Sequence, residues 1–176
     1  MTQAIWRICY SQMARQLLEG SPPQAPEIAR YLDAVRASVG PNAYVALLGL
    51  REFDTPTLHK KVERGLAFGT VLKIIRLMAL PMQVLADLLL IPPRTLQRRR
   101  AGGRLEPDES DRLLRLSRIY GRALELFEGD NRAALEWLQS PVVALGGTSP
   151  LTLSRSEPGA REVERLIARL EHGVFA

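Results

Sequence analysis

The sequence predicts an all-α protein, and three observations support this fold class. The 176 residues are 46% hydrophobic, 24% charged and only 6% aromatic, which is an ordinary globular composition rich in helix-forming residue types. Apolar residues recur at helical spacing, for example at Leu113, Leu116 and Leu124. Prolines and glycines interrupt the helical patterns, as at Gly40-Pro41 and Gly102-Gly103. Helices joined by short breaks follow from these three features.

Composition divides the chain into three regions. They are an N-terminal helical region (1–60), a helix-turn-helix domain (61–127) and a small C-terminal helical domain (128–176). In the first region, helical patterns cover 5–18 and 27–39, with the linker GSPPQAP between them. The apolar run AYVALLGL is compatible with a helix or a strand, so the fold of residues 40–60 stays open.

The second region reads as four helices separated by proline and glycine. A helix ends before Pro81, because the residue preceding a proline is pushed out of the helical conformation. The next helices are expected at 82–89 and 94–100, with Pro92-Pro93 between them. Gly102-Gly103 ends the latter, and a long amphipathic helix runs to Phe127.

The third region is expected to contain three more helices. Asp130, Ser149 and Ser156 each stand where a helix N-cap would lie. The last helix carries an apolar stripe, formed by Val163, Leu166, Ile167 and Leu170. We expect part of this stripe to pack on the helix around 136–138 and part to face a partner.

The helices at 82–89 and 94–100 have the arrangement of a helix-turn-helix, in which the second helix enters the DNA major groove. Ala86 would lie at the helix crossing, with Ile91 and Leu96 buried beneath the pair. Arginine can bind guanine edges or phosphates and glutamine can bind adenine, and the net charge of +5 suits an anionic partner. The predicted DNA-binding residues are Arg94, Thr95, Gln97, Arg98 and Arg100.

Two features leave an alternative open for this helix. The turn holds Leu90 where a glycine is usual, and a leucine can be accommodated there if the turn changes shape. In addition, four acidic residues follow the arginines and could pair with them instead of leaving them to DNA. These are Glu106, Asp108, Glu109 and Asp111.

The residues do not indicate an enzyme, a cofactor or a metal site. His59 and His172 stand far apart without metal-ligand spacing, and Cys9 has no evident base partner. The glycine-rich LGGTSP lacks the lysine of a phosphate-binding loop. With one cysteine, no signal-peptide pattern and no apolar run long enough to span a bilayer, we expect a cytoplasmic protein.

Several separate signatures in the second half of the chain occur together in one known family. They are RTLQRR, ESDRLxRL, AxxWL followed by Pro141, LGGxxPL, EPGAREVE and the terminal HGVFA. Over about residues 61–176 the chain resembles the Xre/MbcA/ParS antitoxins, which pair with RES-domain toxins in type II toxin–antitoxin systems. The resemblance implies a non-enzymatic protein that covers the entrance to the NAD site of its toxin and represses its own promoter.

The resemblance places toxin binding at the end of the chain. The implied toxin-binding residues are Leu170, Glu171, His172, Gly173, Val174, Phe175 and Ala176. A terminal carboxylate, with Glu171 or His172 near it, could compete for basic groups that hold the NAD phosphates. A homodimer is expected because helix-turn-helix proteins usually bind paired half-sites. Two other hypotheses remain: a stand-alone transcriptional regulator without a toxin, and a toxin-binding protein that does not bind DNA.

Overall fold

The computed structural model describes residues 25–172 and confirms the all-α fold class for that range. Its α-helices are α1 (Pro26–Arg36), α2 (Thr55–Glu63), α3 (Phe68–Met78), α4 (Met82–Leu88), α5 (Pro93–Gly102), α6 (Pro107–Leu126), α7 (Asn131–Gln139), α8 (Pro150–Leu153) and α9 (Glu157–Glu171). Two 3₁₀ helices (Ala43–Leu48 and Val143–Leu145) lie between them, and the β-structure of the described range consists of two isolated bridges. The helix expected at 5–18 lies outside the described residues. No helix within 25–172 is long and apolar enough to cross a bilayer.

The ambiguous run AYVALLGL forms the 3₁₀ helix Ala43–Leu48 at the centre of the molecule. The side chains of residues 45–48 are at most 1% exposed, and the segment packs against α1, α3 and α6. A segment enclosed on all sides needs no polar face, which explains why its sequence has no periodicity to interpret.

Helix α2 is absent from the sequence-based prediction, although its N-terminus has a local signal. The carboxylate of Asp54 accepts a hydrogen bond from the Thr57 N–H at 2.8 Å, and Pro56 stands in the first turn. Leu58 is the residue that α2 buries, against α6. The domain boundary expected at residue 60 falls inside this helix.

Helix α6 packs against α2, the 3₁₀ helix Ala43–Leu48, α7 and α9. It begins with Pro107 and a capping box in which Glu106 and Glu109 bind each other's backbone N–H groups. Near its start, the Ser110 hydroxyl accepts a hydrogen bond from the Leu66 N–H at 2.8 Å. Further along, the Tyr120 hydroxyl donates to Asn131 Oδ1 at 2.6 Å. The same helix therefore contacts the helix-turn-helix side and the C-terminal side.

The last helix packs differently from the expectation. Helix α9 lies chiefly along α6 rather than on the helix around 136–138, and it buries Val163, Leu166 and Ile167. The expected capping residues are confirmed, since Asp130 caps α7, Ser149 caps α8 and Ser156 caps α9. The apolar stripe is thus used inside this chain, where it joins a continuous core that extends back to α1.

Candidate functional site

Helices α4 and α5 form the predicted helix-turn-helix. They cover Met82–Leu88 and Pro93–Gly102, within a few residues of the expected limits. Ala86, Ile91 and Leu96 are all buried, as the motif requires. Gly103 ends α5 in the left-handed conformation, which glycine adopts at little cost.

The turn between these helices holds Leu90 in a backbone conformation that is usual for glycine. Leu90 itself adopts the left-handed conformation, with φ of +55°. Its N–H donates to the Asp87 carbonyl at 3.2 Å, and the Ile91 N–H donates to the Ala86 carbonyl at 2.9 Å. These two bonds close the helix as a Schellman motif, in which glycine is the usual residue. The Leu90 side chain is left 49% exposed.

The surface of α5 presents most of the predicted DNA-binding residues to solvent. Arg94, Gln97, Arg98 and Arg100 are exposed, and Thr95 is half-buried. At about 100° per residue, Arg94 and Arg98 project from the side opposite buried Leu96, and Gln97 projects from the flank between them and Leu96. The side chains of Arg94, Arg98 and Arg100 form no ion pair with any residue of the described range. This face can offer guanidinium groups and one amide to a polyanion.

Arg99 has a different role from its neighbours. Its Nε donates to the Glu109 carboxylate at 2.8 Å, and its Nη1 lies 2.8 Å from the Glu106 carboxylate. The hydrogen bond from Arg99 to Glu109 raises the pKa of the guanidinium. Glu106 and Glu109 therefore pair with an arginine that holds α5 against the start of α6, and Asp111 pairs with Arg115. None of the acidic residues pairs with a predicted DNA-binding arginine within the described range.

A ladder of ion pairs joins α6 to α9, and the sequence-based reasoning missed it. Arg115 Nε lies 2.9 Å from Glu157, Arg118 Nε lies 2.6 Å from Glu164, and Arg122 Nη2 lies 2.7 Å from Glu171. Burial pushes the pKa of Glu157 upward, but hydrogen bonds and charges from nearby arginines outweigh it and leave that pKa lowered. The available signal was the spacing of seven residues between successive glutamates, close to two helical turns.

The predicted toxin-binding residues fall in two groups. Leu170 packs partly against the core, and the Glu171 carboxylate is held by Arg122. The imidazole of His172 is exposed and binds no other described residue. Gly173, Val174, Phe175 and Ala176 lie outside the described residues.

The outer face of α9 is basic rather than apolar. Arg161, Arg165 and Arg169 are exposed along it at intervals of four residues. Arg161 pairs with Glu157, and the other two share Glu162. Because α6 covers the apolar stripe, the surface that α9 offers to another molecule is mostly charged.

A cleft of about 400 Å³ opens between α1, α6 and α9. Tyr31, Tyr44, Arg118 and Arg122 are among its lining residues, and carboxylates of this chain already bind both guanidinium groups. Within residues 25–172, no group of three or more histidine, cysteine or acidic side chains could hold a metal ion.

Comparison with known proteins assigns both halves of this architecture. Residues 57–118 match the model of the antitoxin Xre-like helix-turn-helix domain. Residues 122–173 match the model of the antitoxin Xre/MbcA/ParS C-terminal toxin-binding domain. The junction between the two matches falls inside α6.

Individual proteins show the same similarity. The chain is 48% identical over 87 residues to "Antitoxin Xre" of Yersinia enterocolitica and 38% identical over 84 residues to "Antitoxin Xre" of Photorhabdus laumondii. These alignments cover 49% and 47% of this chain, and 59% and 57% of the two relatives' own lengths. It is also 30% identical over 145 residues to "Prs ADP-ribosylating antitoxin" of a Sphingobium strain, an alignment that covers 77% of this chain and 89% of that relative.

Proposed function

The chain belongs to the Xre/MbcA/ParS antitoxin family, and from this premise we propose that it neutralises a RES-domain, NAD-degrading toxin and binds promoter DNA. The strongest support is the match of residues 122–173 to a toxin-binding domain model. That match favours an antitoxin over a stand-alone transcriptional regulator, because a regulator without a toxin has no use for such a domain.

Toxin binding is assigned to the end of α9 and the residues that follow it. Val163, Leu166 and Ile167 of the apolar stripe are buried against α6, so they supply no groove-filling surface to a partner. His172 and the segment formed by residues 173–176 are the proposed contacts at the toxin's NAD site. Arg169, one turn before His172, is exposed and shares Glu162 with Arg165, so a charged toxin surface could contact this part of α9 as well.

The toxin assignment is tested with the protein encoded by the adjacent reading frame. We expect the full chain to stop NAD⁺ consumption by that protein, and deletion of residues 173–176 to release it. The double variant Val174→Ser with Phe175→Ser keeps the chain at full length. It therefore separates the effect of losing apolar side chains from the effect of losing the terminal segment itself. Undiminished NAD⁺ consumption with the full chain in excess would refute the assignment.

DNA binding is assigned to the exposed face of α5. Arg94, Gln97 and Arg98 would meet base edges or phosphates in the major groove, and Arg100 would contact phosphate beside it. A twofold dimer would place two such helices about one DNA turn apart. The freedom of Arg94, Arg98 and Arg100 from ion pairs within the described range supports this assignment.

Salt dependence measures the phosphate contacts directly. We expect affinity for the promoter fragment to fall steeply with salt, and Arg98→Ala to reduce the slope by about one unit. Arg132→Ala is the matched control, because Arg132 is also an exposed arginine without an ion pair in the described range, but lies on α7. Toxin inhibition without salt-dependent promoter binding would favour a toxin-binding protein that does not read DNA.

A further inference from the structure

A chain of polar contacts links the N-terminal helix α1 to the end of α9. The Tyr31 hydroxyl on α1 donates to Glu125 Oε1 on α6. Glu125 Oε2 accepts from Arg122 Nη1 at 2.5 Å, and Arg122 Nη2 donates to Glu171 Oε2 at 2.7 Å. Each contact uses a different atom of the shared side chains, so all three coexist. We call this set of four side chains the Tyr31–Glu171 network.

A glycine in the middle of α6 permits the first contact. A Cβ built on Gly121 would lie 2.7 Å from Tyr31 Oη and 2.9 Å from Tyr31 Cζ. Glycine in a helix interior is unfavourable, so its presence in this 20-residue helix needs a local reason. The close approach of the Tyr31 ring supplies that reason, and the ring is only 2% exposed.

The Tyr31–Glu171 network distinguishes the Arg122–Glu171 ion pair from the other two ion pairs between α6 and α9. A single, partly exposed ion pair contributes little to holding two helices together. Arg115 and Arg118 bind carboxylates of α6 and α9, and Arg115 also binds the Arg155 carbonyl just before α9. Arg122 differs because it is fixed through Glu125 by a buried hydroxyl from α1. A fully connected network restrains side chains more than separate pairs do.

We propose that Tyr31, Glu125 and Arg122 are positioning residues that hold the last turn of α9, and with it Leu170, Glu171 and His172, in the orientation that binds the toxin. The effect on inhibition rests on the proposed function, but the restraint on α9 does not. Holding a binding segment in place before association reduces the entropy that binding must remove. Helix α1 thereby contributes to a toxin-binding surface that it does not itself form.

Hydrogen exchange of the full chain tests the restraint without any toxin. Tyr31→Phe keeps the ring over Gly121 and removes only the hydroxyl. We expect amide exchange at residues 168–172 to accelerate about tenfold, because a hydrogen bond to a charged group is lost. Tyr44→Phe is the control, since Tyr44 lines the same cleft and the hydrogen bond of its hydroxyl within residues 25–172 is made to Asn42. Unchanged exchange at 168–172 in Tyr31→Phe would overturn the proposal.

Variants of the ladder locate the effect. Arg122→Gln should also accelerate exchange at 168–172, and Arg122→Lys should restore part of the protection because one carboxylate keeps a cationic partner. Arg115→Gln removes the arginine contacts at the other end of α9, so we expect faster exchange near Glu157 and none of the effect at 168–172. Equal acceleration throughout α9 in Arg122→Gln and Arg115→Gln would mean general loosening and would contradict the proposal.

Inhibition of the adjacent gene's product completes the test. We expect Tyr31→Phe to require about tenfold more protein than the unmodified chain for equal suppression of NAD⁺ consumption. Tyr44→Phe should match the unmodified chain. If the unmodified chain fails to inhibit, the proposed function is wrong and hydrogen exchange alone decides the restraint. If the unmodified chain inhibits, and Tyr31→Phe and Arg122→Gln each inhibit as potently as it does, the positioning role is wrong.

Discussion

Four helices of the described range end on a residue other than glycine in the left-handed conformation. These residues are Ser38, Ala79, Leu90 and Glu128, and their φ angles lie between +48° and +55°. An L-residue in this region suffers a steric conflict between its Cβ and the following carbonyl. The surrounding hydrogen bonds hold each of them there at a cost in stability.

Ala79 offers the clearest measurement of that cost, because only a methyl group is removed on changing it to glycine. We expect Ala79→Gly to raise the free energy of unfolding by about 1 kcal/mol. Ala168→Gly, in the interior of α9, should lower it by about 1 kcal/mol. Urea unfolding measures both, and a decrease for Ala79→Gly would show that the strain at this residue is smaller than the entropy cost of ordering a glycine.

We expect two buried tyrosines to make the free energy of unfolding fall at alkaline pH. Burial raises the pKa of Tyr31 and of Tyr120 above the usual 10.0, and the Glu125 carboxylate adds to the shift at Tyr31. A raised pKa in the folded state gives stability that is complete below pH 10 and is lost as the pH rises, because the unfolded chain releases those protons first. Each tyrosine should lower the free energy of unfolding by up to about 1.4 kcal/mol per pH unit above 10.

Urea unfolding from pH 8 to 11 measures this dependence. Tyr31→Phe should flatten the decline above pH 10 by about one proton's contribution, whatever its effect at pH 8. An identical decline in the unmodified chain and in Tyr31→Phe would mean that the hydroxyl ionises equally in both states.

At the scale of a single element, α5 divides its arginines between structure and recognition. Arg99 is directed to Glu106 and Glu109, whereas Arg94, Arg98 and Arg100 remain exposed. The sequence predicted which residues point outward because helical periodicity is local. It offered Glu106 and Glu109 among the possible partners of these arginines, but it did not predict that Arg99 alone would bind them, because that depends on how the next helix turns back.

Helix α6 contains Gly121 where alanine would be a better helix former. We expect Gly121→Ala to lower the free energy of unfolding by about 1–2 kcal/mol, because displacing the buried Tyr31 ring outweighs the gain in helix propensity. Gly69→Ala, in α3, is the control: its Cβ would meet nothing within 4 Å, and we expect a gain of about 1 kcal/mol. Urea unfolding measures both variants.

The reverse sign for Gly121→Ala would mean that Tyr31 shifts without cost. A double variant with Tyr31→Ala isolates the contact, because Gly121→Ala should become stabilising once the ring is absent.

At the scale of the whole molecule, the two family-model matches share one helix and one core. The matches 57–118 and 122–173 meet within α6, and a single cluster of buried side chains reaches from Ile28 to Ile167. The loss of either half would expose apolar surface of the other. We therefore expect the described part of the chain to unfold as one unit.

Two optical probes test this cooperativity. Trp137 lies 6.2 Å from Phe127 between ring centroids and reports on the C-terminal half, once Trp6→Phe removes the other tryptophan. Its fluorescence transition in urea should coincide with that of far-ultraviolet circular dichroism, which reports on all helices. Separate midpoints would show two independent folding units.

The sequence by itself determined the helical class, most helix limits from α3 onward, the helix-turn-helix and the exposed face of α5. Capping residues, prolines, glycines and a period of 3.6 residues act over one or two turns, so they can be read locally. Only the tertiary structure decided the 3₁₀ form of Ala43–Leu48 and the burial of the α9 stripe against α6. It also decided which carboxylates bind Arg99 and which bind Arg122. Each of these features depends on contacts between residues that are distant in sequence. A local pattern does not specify which distant partner a side chain will contact.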